Sequence, residues 1–179
     1  MALLLSCEKM SSLSNGVYLN GELIARLDGH IDGCTPDALP DHGIGLRKSG
    51  YYLFVCIDDQ SGKYVHIEAS REVWGSDYLM ILIRDDRGTD WETIGRGLLI
   101  HKYGPDEEMS ARYYETVTGR TLEEVSVARQ ISGLLEIKEK KGAQKGKARV
   151  DISFTLSNGD EYQIVYRGEV NMNIGTYYV

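Results

Sequence analysis

Two Asn-Gly pairs, each set between apolar runs, constrain the fold more than any other feature of this 179-residue chain. Asn20-Gly21 lies between Val17-Tyr-Leu19 and Leu23-Ile-Ala-Arg-Leu27, and Asn158-Gly159 lies between Phe154-Thr-Leu156 and Tyr162-Gln-Ile-Val165. Asn and Gly tolerate positive φ, so such pairs reverse a chain in two residues and set the flanking segments side by side as antiparallel strands. The segment 147–156 alternates strictly, with Ala148, Val150, Ile152, Phe154 and Leu156 on one face. That period of two is a half-buried strand.

The same reading extends inward. The runs 51–57, 78–84, 97–103, 133–138 and 161–170 are strand candidates. In 63–69, Val65, Ile67 and Ala69 share one face, and Tyr64, His66 and Glu68 share the other. Successive hairpins at this spacing predict a mainly β chain, an antiparallel sandwich or barrel-like meander. One segment reads differently. Pro105-Asp-Glu-Glu108 suits a helix start and Gly119 a stop, which predicts a short helical insertion over 106–118. Beyond it, Thr121-Leu-Glu-Glu124 fits a capping box, while Val125, Val127, Arg129 and Ile131 alternate as a strand would. The stretch 28–50 is rich in Gly and Pro and reads as a loop that either hides a short strand at 44–46 or is a functional excursion.

Length and a hydrophobic share of 42% fit one ordinary domain, 13–179. The formal net charge of −7 argues against nucleic acid as a partner. No run approaches the length of a transmembrane helix. At the N-terminus, Leu4-Leu5-Ser6-Cys7 has the form of the end of a bacterial lipoprotein signal, and residues 8–12 that of a polar tether. This predicts lipidation at Cys7, a membrane partner reached through that anchor, and a place in the cell envelope. Only five residues precede Ser6 and none is basic, so a cytosolic chain with a buried Cys7 stays open. With Cys7 lipidated, Cys34 and Cys56 remain as a disulfide pair or as two free thiols.

Four pieces of the sequence carry a resemblance: Leu4–Lys9, Tyr18-Leu-Asn-Gly-Glu-Leu23, Ser132-Gly-Leu-Leu-Glu-Ile137, and Phe154-Thr-Leu-Ser-Asn-Gly159 with Gly168-Glu-Val170. In these the chain resembles small β-sandwich lipoproteins of Bacteroidota. The resemblance implies an envelope β-sandwich and carries over no catalytic residue.

Candidate chemistry is sparse, and no cofactor is expected. Asp28, His30, Asp32 and His42 gather carboxylates and imidazoles in one Gly-rich stretch, a donor set suited to zinc or a hard cation, although the spacing matches no EF-hand and no His-Glu-x-x-His. His66 with Glu68 is an acid–base candidate against the blander reading of a solvent-facing strand. Trp74, Trp91, Tyr113 and Tyr114 are candidates for a sugar-stacking platform. Lys138, Lys140, Lys141, Lys145 and Lys147 cluster at one hairpin tip, either for an anionic partner or to guard a sheet edge. Three functions follow: a non-enzymatic envelope protein binding a glycan or a protein, an inhibitor or immunity-type protein against a secreted toxin, and a metal-dependent hydrolase using 28–42.

Overall fold

In a computed structural model we describe residues 13–34, 51–57, 63–70, 79–86, 95–102, 108–115, 120–125, 128–139 and 144–172. Among them every regular element is a strand. The first hairpin is β1 (Gly16–Leu19) and β2 (Glu22–Arg26). Its turn holds Asn20 at φ 52° and Gly21 at φ 84°, the double left-handed conformation that the Asn-Gly pair requires. A meander follows: β3 (His30–Cys34), β4 (Tyr51–Ile57), β5 (Lys63–Ser70), β6 (Leu79–Asp86), β7 (Gly95–Lys102), β8 (Ser110–Glu115) and β9 (Arg120–Val125). Three long strands complete the chain: β10 (Ala128–Glu139), β11 (Lys145–Leu156) and β12 (Glu161–Asn171). The β11–β12 turn differs from the first. The Gly159 amide donates to the Leu156 carbonyl at 2.9 Å, and only Gly159 has positive φ, 93°.

The strands form one sheet in the order β10-β11-β12-β3-β4-β5-β6-β7-β8-β9, antiparallel except at β12–β3. The sheet branches at β12. Strand β1 is short and pairs with residues 162–165 of β12, so the far end is left to meet β3 at Asn171–Asp32. Two asparagine side chains lengthen the β1 ladder at both ends. Asn15 Oδ1 accepts from the Arg167 amide at 2.9 Å, and Asn20 Oδ1 accepts from the Glu161 amide, also at 2.9 Å. These bonds lock the first hairpin onto the last.

The sheet curls over itself. Val125 ends β9 and Ala128 begins β10, so opposite edges of the sheet lie within about 11 Å at that corner, the span of the connecting chain. The tyrosine hydroxyls of Tyr113 on β8 and Tyr162 on β12 meet at 3.2 Å, and the rings of Phe54 on β4 and Tyr166 on β12 lie 5.3 Å apart. A Cβ on Gly33 of β3 would stand 3.1 Å from Val170 and 3.3 Å from Ile137 of β10. The result is two facing layers, a sandwich-like fold whose edges do not close into a barrel. The core between them includes Val65, Ile67, Ile81, Ile100, Ile152, Phe154 and Ile164. Each such side chain contributes roughly 1.5–3 kcal/mol when removed from water.

The inward residues of 63–69 and of 147–156 are those the alternation names. The helix over 106–118 is corrected: Ser110–Glu115 is strand β8, and 106–107 and 116–118 lie outside the described residues. Proline and acids are local signals, whereas β7 offers a full ladder and the core accepts Ala111, which is wholly buried. Tertiary pairing prevails over weak local preference. The capping box lies within β9, so 121–124 is also strand. The expected strand at 44–46 lies outside the described residues.

Candidate functional site

The outer face of β10, β11 and β12 carries an organised set of polar side chains. Alternation puts Ala148, Val150, Ile152, Phe154 and Leu156 inward, so Lys147, Arg149, Asp151, Ser153 and Thr155 point outward. Register aligns them across the strands. Ser132, Ser153 and Gln163 make one rung; Leu134, Asp151 and Val165 the next; then Glu136, Arg149 and Arg167; then Lys138, Lys147 and Glu169.

Two troughs result. The first, about 860 Å³, is lined by Gln130, Ser132, Ser153, Thr155 and Gln163, with Asn20 and Glu161 at the rim and buried Tyr18 along one wall. Ser132 and Ser153 hydroxyls touch at 3.2 Å. A β-bulge interrupts β10 between Arg129 and Ser132, and there Gln130 takes φ 53°. A non-glycine residue held in the left-handed region is conformationally costly, and bulges of this kind re-aim side chains. The second trough, about 600 Å³, is lined by Glu136, Lys138, Lys147, Arg149, Arg167 and Glu169. Between the two, Asp151 is 8% exposed and accepts from Arg167 Nη2 at 3.1 Å.

The residues singled out from sequence fare differently. Cys7, His42, Trp74 and Trp91 lie outside the described residues, as do Lys140 and Lys141. Tyr113 is half-buried, packs against the core and spends its hydroxyl on Tyr162. Tyr114 follows it on β8, opposite Gly97. Asp28 is exposed at the end of the first hairpin, His30 begins β3, and Asp32 is buried at 5% on β3. No group of three or more metal-ligating side chains forms among the described residues. Cys56 is buried and is in no disulfide. It stands opposite Ile31, whereas Cys34 stands opposite Leu53, three rungs away. At roughly 3.4 Å per rung that separation exceeds disulfide reach, so the Cys34–Cys56 bond is excluded.

His66 lies half-buried on the outward side of β5, where its Nδ1 meets Tyr64 Oη at 3.1 Å. Ser110 and His101 face each other across β7 and β8. Ser110 Oγ is 2.9 Å from Nε2 and 3.1 Å from Nδ1. Near-equal distances put the hydroxyl beside the carbon between the two nitrogens. A base that activates a serine instead needs one nitrogen aligned with it.

Two phenols are perturbed. Burial, reinforced by the bond to Tyr113, raises Tyr162 far above the ordinary tyrosine range. Burial also pushes Tyr166 up to about 12, helped by Cys56 and Glu169 nearby, and its hydroxyl donates to the Glu169 carbonyl. Both are structural groups at the inner face of β12.

No family model, curated protein or solved structure matches this chain. Function must therefore be read from the geometry of the outer face. Alternation in 147–156 names the inward residues directly and the outward ones by complementary parity. Gln163 and Arg167 join Ser153 and Arg149 through the β11–β12 hairpin, whose turn fixes that register, whereas Gln130 and Ser132 join them only through the β10–β11 register, which no local signal carries.

Proposed function

We propose that the protein is a non-enzymatic envelope protein that binds a glycan on the outer face of β10–β12. The observation that carries this reading is the first trough. Gln130, Ser132, Ser153, Thr155 and Gln163 offer amides and hydroxyls that both donate and accept. A sugar presents the same mixture, hydroxyl beside hydroxyl, and neutral side chains match it without the desolvation penalty of charges. The ladder fixes their spacing, and the strained Gln130 bulge shapes one rim. An open trough of this kind supports affinities of roughly −4 to −8 kcal/mol, millimolar to micromolar.

The envelope part of the proposal rests on Leu4–Cys7, with lipid attached at Cys7 and 8–12 as the tether. Palmitate labelling of the full-length product tests it. Wild type labels and Cys7→Ala does not; equal labelling refutes the anchor. For the trough, titration calorimetry against a panel of neutral and acidic oligosaccharides is the test. Binding by at least one member, lowered tenfold or more in Gln163→Ala with unchanged thermal stability, is expected. A panel that gives no binding, or binding indifferent to Gln163, refutes it.

A further inference from the structure

Beside the first trough, the second trough is lined mainly by cations. Its lining has four cationic side chains, Lys138, Lys147, Arg149 and Arg167, against Glu136 and Glu169. The chain as a whole carries −7, so this face runs against the overall sign. The carboxylates are drawn to the margins. Glu136 pairs with Lys138 at 3.9 Å, Glu169 with Lys145 at 3.5 Å, and Asp151 with Arg167 at 3.1 Å. Lys147 and Arg149 are left in the middle, both exposed, with no carboxylate partner among the described residues. They are two apart on the central strand, so their bases lie roughly 6.8 Å from each other.

Register places Lys138 directly opposite Lys147 and Arg149 directly opposite Arg167, on adjacent rungs of the same face. On their other sides Lys147 faces Glu169 and Arg149 faces Glu136, but these carboxylates pair with Lys145 and Lys138 instead. Like charges directly opposite across a ladder destabilise it. An anion seated between Lys147 and Arg149 would relieve both repulsions. Arg149 can hold a carboxylate or sulfate with two parallel bonds, and Lys147 adds a point charge. The polar trough continues along the same three strands past the Asp151 rung.

We infer that the ligand of this face is an acidic glycan: its neutral hydroxyls lie on the Gln163 trough and its carboxylate or sulfate groups on Lys147 and Arg149. This rests on the glycan reading above and adds the charge of the ligand. The test uses the full chain with oligogalacturonate, a sulfated glycosaminoglycan and a sialylated oligosaccharide. Each is paired with a neutral counterpart, methyl-esterified or desulfated.

At least one acidic member binds at least tenfold more tightly than its neutral form. Its affinity falls several-fold between 50 and 200 mM salt, in proportion to the two cations engaged. Lys147→Gln/Arg149→Gln removes the preference for the acid and leaves binding of the neutral form intact, while Gln163→Ala weakens both. Equal binding of acidic and neutral forms overturns the inference and leaves the glycan reading standing. Binding to none of the six overturns it as well. So does binding confined to vesicles of anionic lipid, which would make the cations a membrane contact. The double variant replaces two exposed side chains, and an unchanged melting temperature confirms its fold.

Discussion

Replacing Gly133 by alanine separates two effects that glycine substitutions usually mix. Gly133 lies in β10 at φ 142°, two residues past the Gln130–Ile131 bulge. A Cβ there would stand 1.9 Å from the Asp151 carbonyl oxygen and 2.8 Å from the Ile152 Cα, both backbone atoms of β11. No rotamer relieves that contact, so the two strands must part by about 1 Å. The left-handed-side backbone itself costs an L-residue about 1–3 kcal/mol. Parting the strands weakens one or two ladder bonds at about 1 kcal/mol each. It also loosens Ile152 and Leu135 in the core beneath. Together these predict a loss of about 3–5 kcal/mol, a large share of a typical domain's stability.

Gly159 is the control. It has φ 93°, and a Cβ would meet nothing within 4 Å. Gly159→Ala incurs only backbone strain, about 1 kcal/mol. Both changes restrict the unfolded chain equally, so that term cancels in the comparison. Urea unfolding followed by far-UV circular dichroism measures both. If Gly133→Ala falls within about 1 kcal/mol of Gly159→Ala, the close β10–β11 approach at this rung is wrong, and the register with it.

Other contacts make three more predictions. Arg167→Leu strips the cation from Asp151, which is buried, and should cost about 1–3 kcal/mol; Asp151→Leu, placed between Leu134 and Val165, should stay within about 1 kcal/mol of wild type, and a larger loss from Asp151→Leu would contradict the desolvation argument. Tyr162 and Tyr166 keep their protons longer folded than unfolded, so their contribution is complete below pH ~10 and lost as pH rises beyond it; the melting temperature should therefore drop above pH ~10, less steeply in Tyr162→Phe, and an equal slope would contradict the assignment. Cys56 should resist thiol reagents in the native protein and react fully in urea, with no Cys34–Cys56 disulfide under oxidising conditions; a peptide map showing that bond would refute the β3–β4 register.

Legibility follows the range of the forces involved. The Asn20-Gly21 turn is dictated by two residues whose permitted φ values leave little choice, and it forms as the pair requires. The inward faces of 63–69 and 147–156 follow from alternation alone, because burial rewards apolar side chains wherever the strand lies. The segment 110–115 is a strand despite its helix signals, because these are worth a few tenths of a kcal/mol per residue, less than pairing with β7 and burial of Ala111. Tyr113 resembles a ligand platform in sequence, since nothing local reveals that Tyr162, forty-nine residues later, takes its hydroxyl. Of the metal candidates Asp28, His30, Asp32 and His42, the last lies outside the described residues; β3 is a strand that holds Asp32 buried while Asp28 stays exposed, a difference that composition does not carry.

Strands, hairpins and the side of each strand that faces water are thus written in the chain itself, because φ preference and alternation act within a few residues. Which polar residues stand together depends on the assembled sheet. The rung Ser132–Ser153–Gln163 and the rung Glu136–Arg149–Arg167 each draw from three strands, and a shift of one residue in either pairing would dissolve them. The turn at 157–159 fixes the β11–β12 register, whereas the β10–β11 register is held by core packing on the opposite face and by the close approach at Gly133, neither of which is local.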